Sequence, residues 1–186
     1  MQCKECKFER VIAGAISWIF HPVFVFPALI VLLFFKERAY VEMLYVLAMA
    51  FGGPFAWFLW LFVRGRIGNF DVTDRAQRYP IYAVSLIGMT ASVVYLYFYG
   101  TQFVLGEFLR LVLLGFVLVA VNFKVKVSIH TAMAVVLVAM LIKFYGVDWF
   151  VVSVVPLVAL SRIILKRHSR VEIALGVLLP AVFYWK

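Results

Sequence analysis

Residues 11–35 read Val-Ile-Ala-Gly-Ala-Ile-Ser-Trp-Ile-Phe-His-Pro-Val-Phe-Val-Phe-Pro-Ala-Leu-Ile-Val-Leu-Leu-Phe-Phe, 25 positions without Asp, Glu, Lys or Arg. A helix needs about 20 mostly apolar residues to cross the hydrocarbon of a bilayer, so this run is long enough to span. It exceeds the apolar core of a cleavable signal, and no small-residue cleavage site follows it. Its apolar residues are continuous rather than alternating, which excludes a membrane β-barrel strand.

Six further mostly apolar runs follow, at 43–63, 81–99, 103–123, 131–145, 149–165 and 171–185, each with at most two charged residues. The expected fold is therefore all-α, a polytopic transmembrane helical bundle of six or seven spans. The last three runs are short enough that one of them need not span fully. Loops between runs are brief, so residues 1–186 are expected to form a single integral membrane domain with a polar tail over 1–10. Composition agrees: 66% of the 186 residues are hydrophobic, 15% are charged and the mean hydropathy is +1.04. A water-soluble domain is nearer half apolar and about a quarter charged.

Eighteen Lys and Arg against nine Asp and Glu leave a formal charge of +9. In such a chain the surplus reads as topology and lipid-headgroup contact. Nucleic acid is not an expected partner, because no basic stretch is interleaved with aromatics in a polar context. Cys3 and Cys6 have no further cysteine with which to complete a structural zinc site, and read as free thiols on the tail.

Three polar breaks interrupt the runs, at 64–78, 124–130 and 161–172. With seven spans they follow the second, fourth and sixth, and so share one side of the membrane. That side would hold 13 of the 18 Lys and Arg, which points to the cytoplasm.

The third break reads Ser161-Arg162-Ile-Ile-Leu-Lys-Arg-His168-Ser-Arg-Val-Glu172. His168 and Glu172 are four apart and share a helix face. A carboxylate on one imidazole nitrogen fixes the tautomer and leaves the other as base or nucleophile. Arg162 offers a fork suited to phosphate. The second break adds Lys126, Ser128 and His130 before a helix N-terminus, where anions are favoured. Two histidines among cations suggest phosphoryl transfer.

These residues resemble the membrane-bound type 2 phosphatidate phosphatase superfamily, which includes bacterial acid phosphatases and, more distantly, vanadium haloperoxidases. Its third signature, Ser-Arg-x5-His-x3-Asp, is matched from Ser161 to Glu172 with Glu in place of Asp. Its second, Pro-Ser-Gly-His, survives as Ser128 and His130. The first, Lys-x6-Arg-Pro, is absent. Its nearest counterpart is the stretch 71–80, in which Arg75 and Arg78 precede Pro80. The resemblance is strongest over about 120–186, the expected phosphatase-like core. It implies a reaction without metal or other cofactor. His168 would attack phosphorus to form a phosphohistidine, Glu172 would orient it and His130 would protonate the leaving group. Arg162, Ser128, Lys126, Arg78, Arg75 and Ser161 would bind phosphate. The implied substrate is a lipid phosphomonoester or a prenyl diphosphate.

Other readings compete. His168 and Glu172 also suit an interfacial ion pair with headgroup-anchoring cations around it. Asn69, Asp71 and Asp74 suit magnesium, as in UbiA-type prenyltransferases, although the second Asp-rich loop of those enzymes is missing. A catalytically degenerate lipid-binding or scaffold relative is the third. His21 before Pro22 reads as an ordinary interfacial residue, and Pro27 and Gly52-Gly53-Pro54 as kinks or close-packing points.

Overall fold

The computed structural model describes residues 4–68, 70, 72 and 76–185, and among them every regular element is helical. The helices are α1 (Lys4–Ile19), α2 (Pro22–Lys36), α3 (Tyr40–Val46), α4 (Gly53–Val63), α5 (Tyr79–Tyr99), α6 (Gln102–Asn122), α7 (Ile129–Tyr145), α8 (Val154–Ile164) and α9 (Arg170–Tyr184). A π-helical segment, Leu47–Gly52, joins α3 to α4, and short 3-10 turns at Ala76–Arg78 and Trp149–Ser153 lead into α5 and α8.

Four stretches are long and apolar enough to cross a membrane: Phe8–Lys36, Tyr40–Val63, Ala76–Tyr99 and Gln102–Asn122. Ile129–Tyr145 and Trp149–Ile164 are apolar but shorter. Large apolar side chains such as Trp18, Phe98, Phe150 and Val182 stand exposed, as a lipid-facing surface requires. The run at 11–35 is interrupted: α1 ends at Ile19 and α2 begins at Pro22, with His21 between them. Pro22 lacks the N–H that would continue the ladder, so the break falls where proline is tolerated, in the first turn of the next helix.

The chain divides into two compact units. One gathers the described residues of Met1–Leu29 and Val121–Lys186, so the opening helix belongs with the C-terminal third. In this unit α7 packs on α8 and α9, and α1 packs on α8. The α7 helix is buried around most of its circumference, through Ala132, Ala134, Val135, Val136, Val138 and Met140. Its apolar character on all sides is that of a core helix. Gly176 sets the approach of α9: a Cβ there would lie 2.7 Å from the Ser128 carbonyl oxygen and 3.3 Å from Thr131 Cβ.

The other unit comprises Ile30–Ala120. Here α5 lies against α3, the π segment and α4, with Tyr45 stacked on Tyr95 at 3.8 Å. Gly88 meets the π segment so closely that a Cβ would lie 2.2 Å from the Met49 carbonyl oxygen. Pro54 cannot donate to the carbonyl four residues before it, and the turn leading into it is the widened one. Of the two roles expected for Gly52-Gly53-Pro54, kink or close-packing point, the structure shows a widened turn running into it, and the close backbone approach falls at Gly88. Phe58, Leu61, Ile67 and Val72 form a small core beneath the 64–78 break, with Phe55, Phe70 and Ile81 packed against it.

Candidate functional site

The third break is built by two local motifs. At the end of α8, Lys166 adopts a left-handed φ of 54°. The Arg167 N–H then bonds back to the Arg162 carbonyl and the Lys166 N–H to the Ile163 carbonyl. This is a Schellman termination with lysine where glycine is usual. At the start of α9, Ser169 and Glu172 form a reciprocal capping box: the Ser169 hydroxyl accepts from the Glu172 N–H and the Glu172 carboxylate accepts from the Ser169 N–H, both at 3.3 Å. His168 is held between the two motifs.

Glu172 Oε2, besides closing the box, lies 2.7 Å from His168 Nδ1. An ionised carboxylate only accepts, so Nδ1 carries the proton and Nε2 the lone pair. The His168 side chain is only 4% exposed. Burial drives its pKa down to about 4; the Glu172 hydrogen bond and charge oppose this, while the Arg162 and Lys126 cations add to it. The ring is therefore neutral at pH 7.

Arg162 is buried. Its Nη1 donates to Ser17 Oγ at 2.6 Å and lies 3.5 Å from His130 Nε2. Within one unit, a single guanidinium thus touches one imidazole and acts electrostatically on the other. Lys126 Nζ donates to the Arg167 carbonyl at 3.1 Å, tying the second break to the third. A second tie is the Ser128 N–H, which donates to the Glu172 carbonyl at 3.2 Å.

Not every expected phosphate ligand displays its polar group. Ser128 is fully buried as the N-cap of α7; its hydroxyl accepts from the Thr131 N–H and pairs with the Thr131 hydroxyl at 2.9 Å. Ser161 donates its hydroxyl to the Val158 carbonyl at 2.7 Å. Both are bracing residues here. Arg78 belongs to the other unit, where it is buried with Nε donating to the Val72 carbonyl at 2.8 Å. Arg75, Asn69, Asp71 and Asp74 lie outside the described residues, as do Cys3 and the side chain of Cys6. Among the described residues no three His, Cys, Asp or Glu side chains cluster as metal ligands.

Two residues of the cluster carried no signal in the sequence. Ser17 belongs to a membrane-length apolar run and became visible only through Arg162. His21, read as interfacial, packs edge-on against His130 with ring centroids 4.9 Å apart, and its Nδ1 accepts from the Val23 N–H. Gly176 and the capping box were legible in principle: Ser-x-x-Glu announces the box, and Gly176 lies one turn beyond Glu172.

Compared with known proteins, the chain matches no family model, no curated protein and no solved structure.

Proposed function

We propose that this chain is a membrane lipid phosphatase, hydrolysing a phosphomonoester or diphosphate on a lipid through a phosphohistidine. The observation that carries this is Arg162: one buried guanidinium in contact with His130 and within electrostatic reach of a neutral, carboxylate-oriented His168. Such a cluster suits a tetrahedral anion gripped between two imidazoles and a fork of donors.

In this reading His168 Nε2 attacks phosphorus, forming the N–P bond as the P–O bond to the leaving group breaks. His130 gives a proton to the departing oxygen, then takes one from the water that cleaves the phosphohistidine. Glu172 holds the Nδ1 proton and stabilises the cationic ring. Arg162 binds equatorial oxygens, where charge needs stabilising. Lys126 and Ser128 brace the loops, and Arg78 and Arg75 are assigned to phosphate through the resemblance of the 71–80 stretch alone. Six or seven spans, with the breaks on the cytoplasmic side, is the topology that accompanies this reading.

The test is phosphate release from phosphatidate, phosphatidylglycerophosphate and polyprenyl diphosphates by purified protein. Turnover that persists in excess EDTA, is inhibited by vanadate and disappears in His168→Ala is expected. Strict magnesium dependence would transfer the reading to the Asp71/Asp74 loop. Phosphate binding without any turnover would leave a scaffold.

A further inference from the structure

Within the Ile30–Ala120 unit, α4, α5 and the π segment enclose an open groove of about 500 Å³, in the size range of small-molecule sites. Its shape follows from a contrast in side-chain size. Gly88 lets α5 approach the Met49 backbone and leaves the lining there without a side chain, while Trp57, Trp60 and Ile87 line the groove with large ones. Trp57 and Trp60 stack at 5.0 Å, so the wall is a rigid aromatic face. The groove runs along two stretches of membrane-crossing length, Tyr40–Val63 and Ala76–Tyr99, and its lining is almost wholly apolar.

One end is charged. The Arg64 and Arg66 guanidinium carbons lie 5.5 and 5.8 Å from the centroid of the Trp60 ring. Both arginines are exposed, and among the described residues neither has a carboxylate partner. Trp60 is thus both groove wall and platform for two cations at the end of a membrane-length helix, the depth at which headgroups lie.

We propose that this groove is a binding site for an anionic glycerophospholipid: one acyl chain lies between Trp57, Trp60 and Gly88, and the phosphate sits on Arg64 and Arg66. Charge complementarity selects the occupant. A neutral lipid would leave the two guanidiniums uncompensated and a zwitterionic one brings its own cation beside its phosphate, whereas a headgroup of net negative charge gains about fivefold in affinity per cation near the surface. This site is separate from the residues assigned to phosphoryl transfer, and its occupancy is measured without turnover.

The experiment uses the full chain in bilayers with Trp18, Trp149 and Trp185 changed to Phe, leaving Trp57 and Trp60 as reporters. Quenching by phosphatidylglycerol with brominated chains is compared with quenching by phosphatidylcholine brominated in the same way. The anionic lipid is expected to quench with at least about fivefold higher apparent affinity. R64Q/R66Q should bring the ratio to about one, and Val84→Phe, which fills the groove, should weaken quenching by both lipids. Equal quenching by the two lipids in the parent protein, or a preference that survives R64Q/R66Q, overturns the assignment of the headgroup site. Unchanged quenching in Val84→Phe overturns that of the chain.

Discussion

Ser17 and Arg162, separated by 145 positions, are joined by a 2.6 Å hydrogen bond from the guanidinium to the hydroxyl. The first helix of the chain thereby helps position the most deeply buried cation of the proposed phosphate site. With one Nη1 held by Ser17, the fork is oriented before substrate arrives, and little rotamer entropy is lost on binding. Ser17→Ala should lower kcat/KM by about 10- to 100-fold, the range expected for a hydrogen bond to a charged group. Arg162→Lys, which retains the charge and loses the fork, should cost about 100-fold or more in kcat. Steady-state phosphate release reads both, and an unchanged rate in Arg162→Lys would remove Arg162 from the reaction.

The depressed pKa of His168 sets a pH window. Its folded value of about 4 lies below the unfolded value of about 6.5, so the unfolded chain binds more protons between them. This group's contribution to stability is present above about pH 6.5 and is lost as pH falls towards 4. The nucleophile should likewise remain available down to about pH 5. Because Lys126 helps hold the value down, Lys126→Gln should move the acidic limb of the rate profile to higher pH. An NMR titration of His168 that stays put in Lys126→Gln would contradict the assignment.

If His130 protonates the leaving group, His130→Asn should lose most activity towards an alkyl phosphate and far less towards an aryl phosphate whose phenolate leaves unaided. Equal losses on both substrates would make His130 a binding residue instead. His21→Phe, which keeps an aromatic ring against His130, should retain more activity than His21→Ala.

Gly176→Ala should destabilise by about 1–3 kcal/mol, since the added Cβ meets the Ser128 carbonyl at the point where α9 packs on α7. Gly14 is the internal control: nothing lies within 4 Å of a Cβ there, so Gly14→Ala should be neutral or stabilising through helix propensity. Thermal unfolding in detergent separates the two, and similar melting temperatures would argue against the close α7–α9 contact.

Asn122 is fully buried with both amide atoms lacking a hydrogen-bond partner among the described residues. Replacing an unsatisfied buried amide by an apolar group of similar size removes a desolvation penalty of about 1–3 kcal/mol. Asn122→Leu should therefore raise the melting temperature; a fall would mean that the amide is satisfied by water or a ligand.

The pairing of His168 with Glu172 was expected on one helix face, but His168 precedes the Ser169 N-cap, and the 2.7 Å contact is made by the Glu172 carboxylate reaching back over the capping box. The same spacing logic cannot say whether a hydroxyl faces a ligand or its own backbone. Ser128 and Ser161, expected at phosphate, have their hydroxyls engaged in a cap and a carbonyl contact. Both outcomes are compatible with the same letters, because caps and anion sites draw on the same donors and acceptors. The His21 break was likewise hidden inside an uninterrupted apolar run, where hydropathy reports length and not continuity.

Apolar run length and composition were by themselves sufficient for an all-helical chain with membrane-length segments, since a bilayer imposes both the length and the internally bonded backbone. Local sequence put a carboxylate within reach of His168, and the structure decided that it meets Nδ1. The association of α1 with α8, and with it Ser17 beside Arg162, belongs to the tertiary structure alone. So does His21 against His130. Such contacts depend on which helix faces meet, and in a chain that is apolar on nearly every face no periodic pattern marks the face that turns inward.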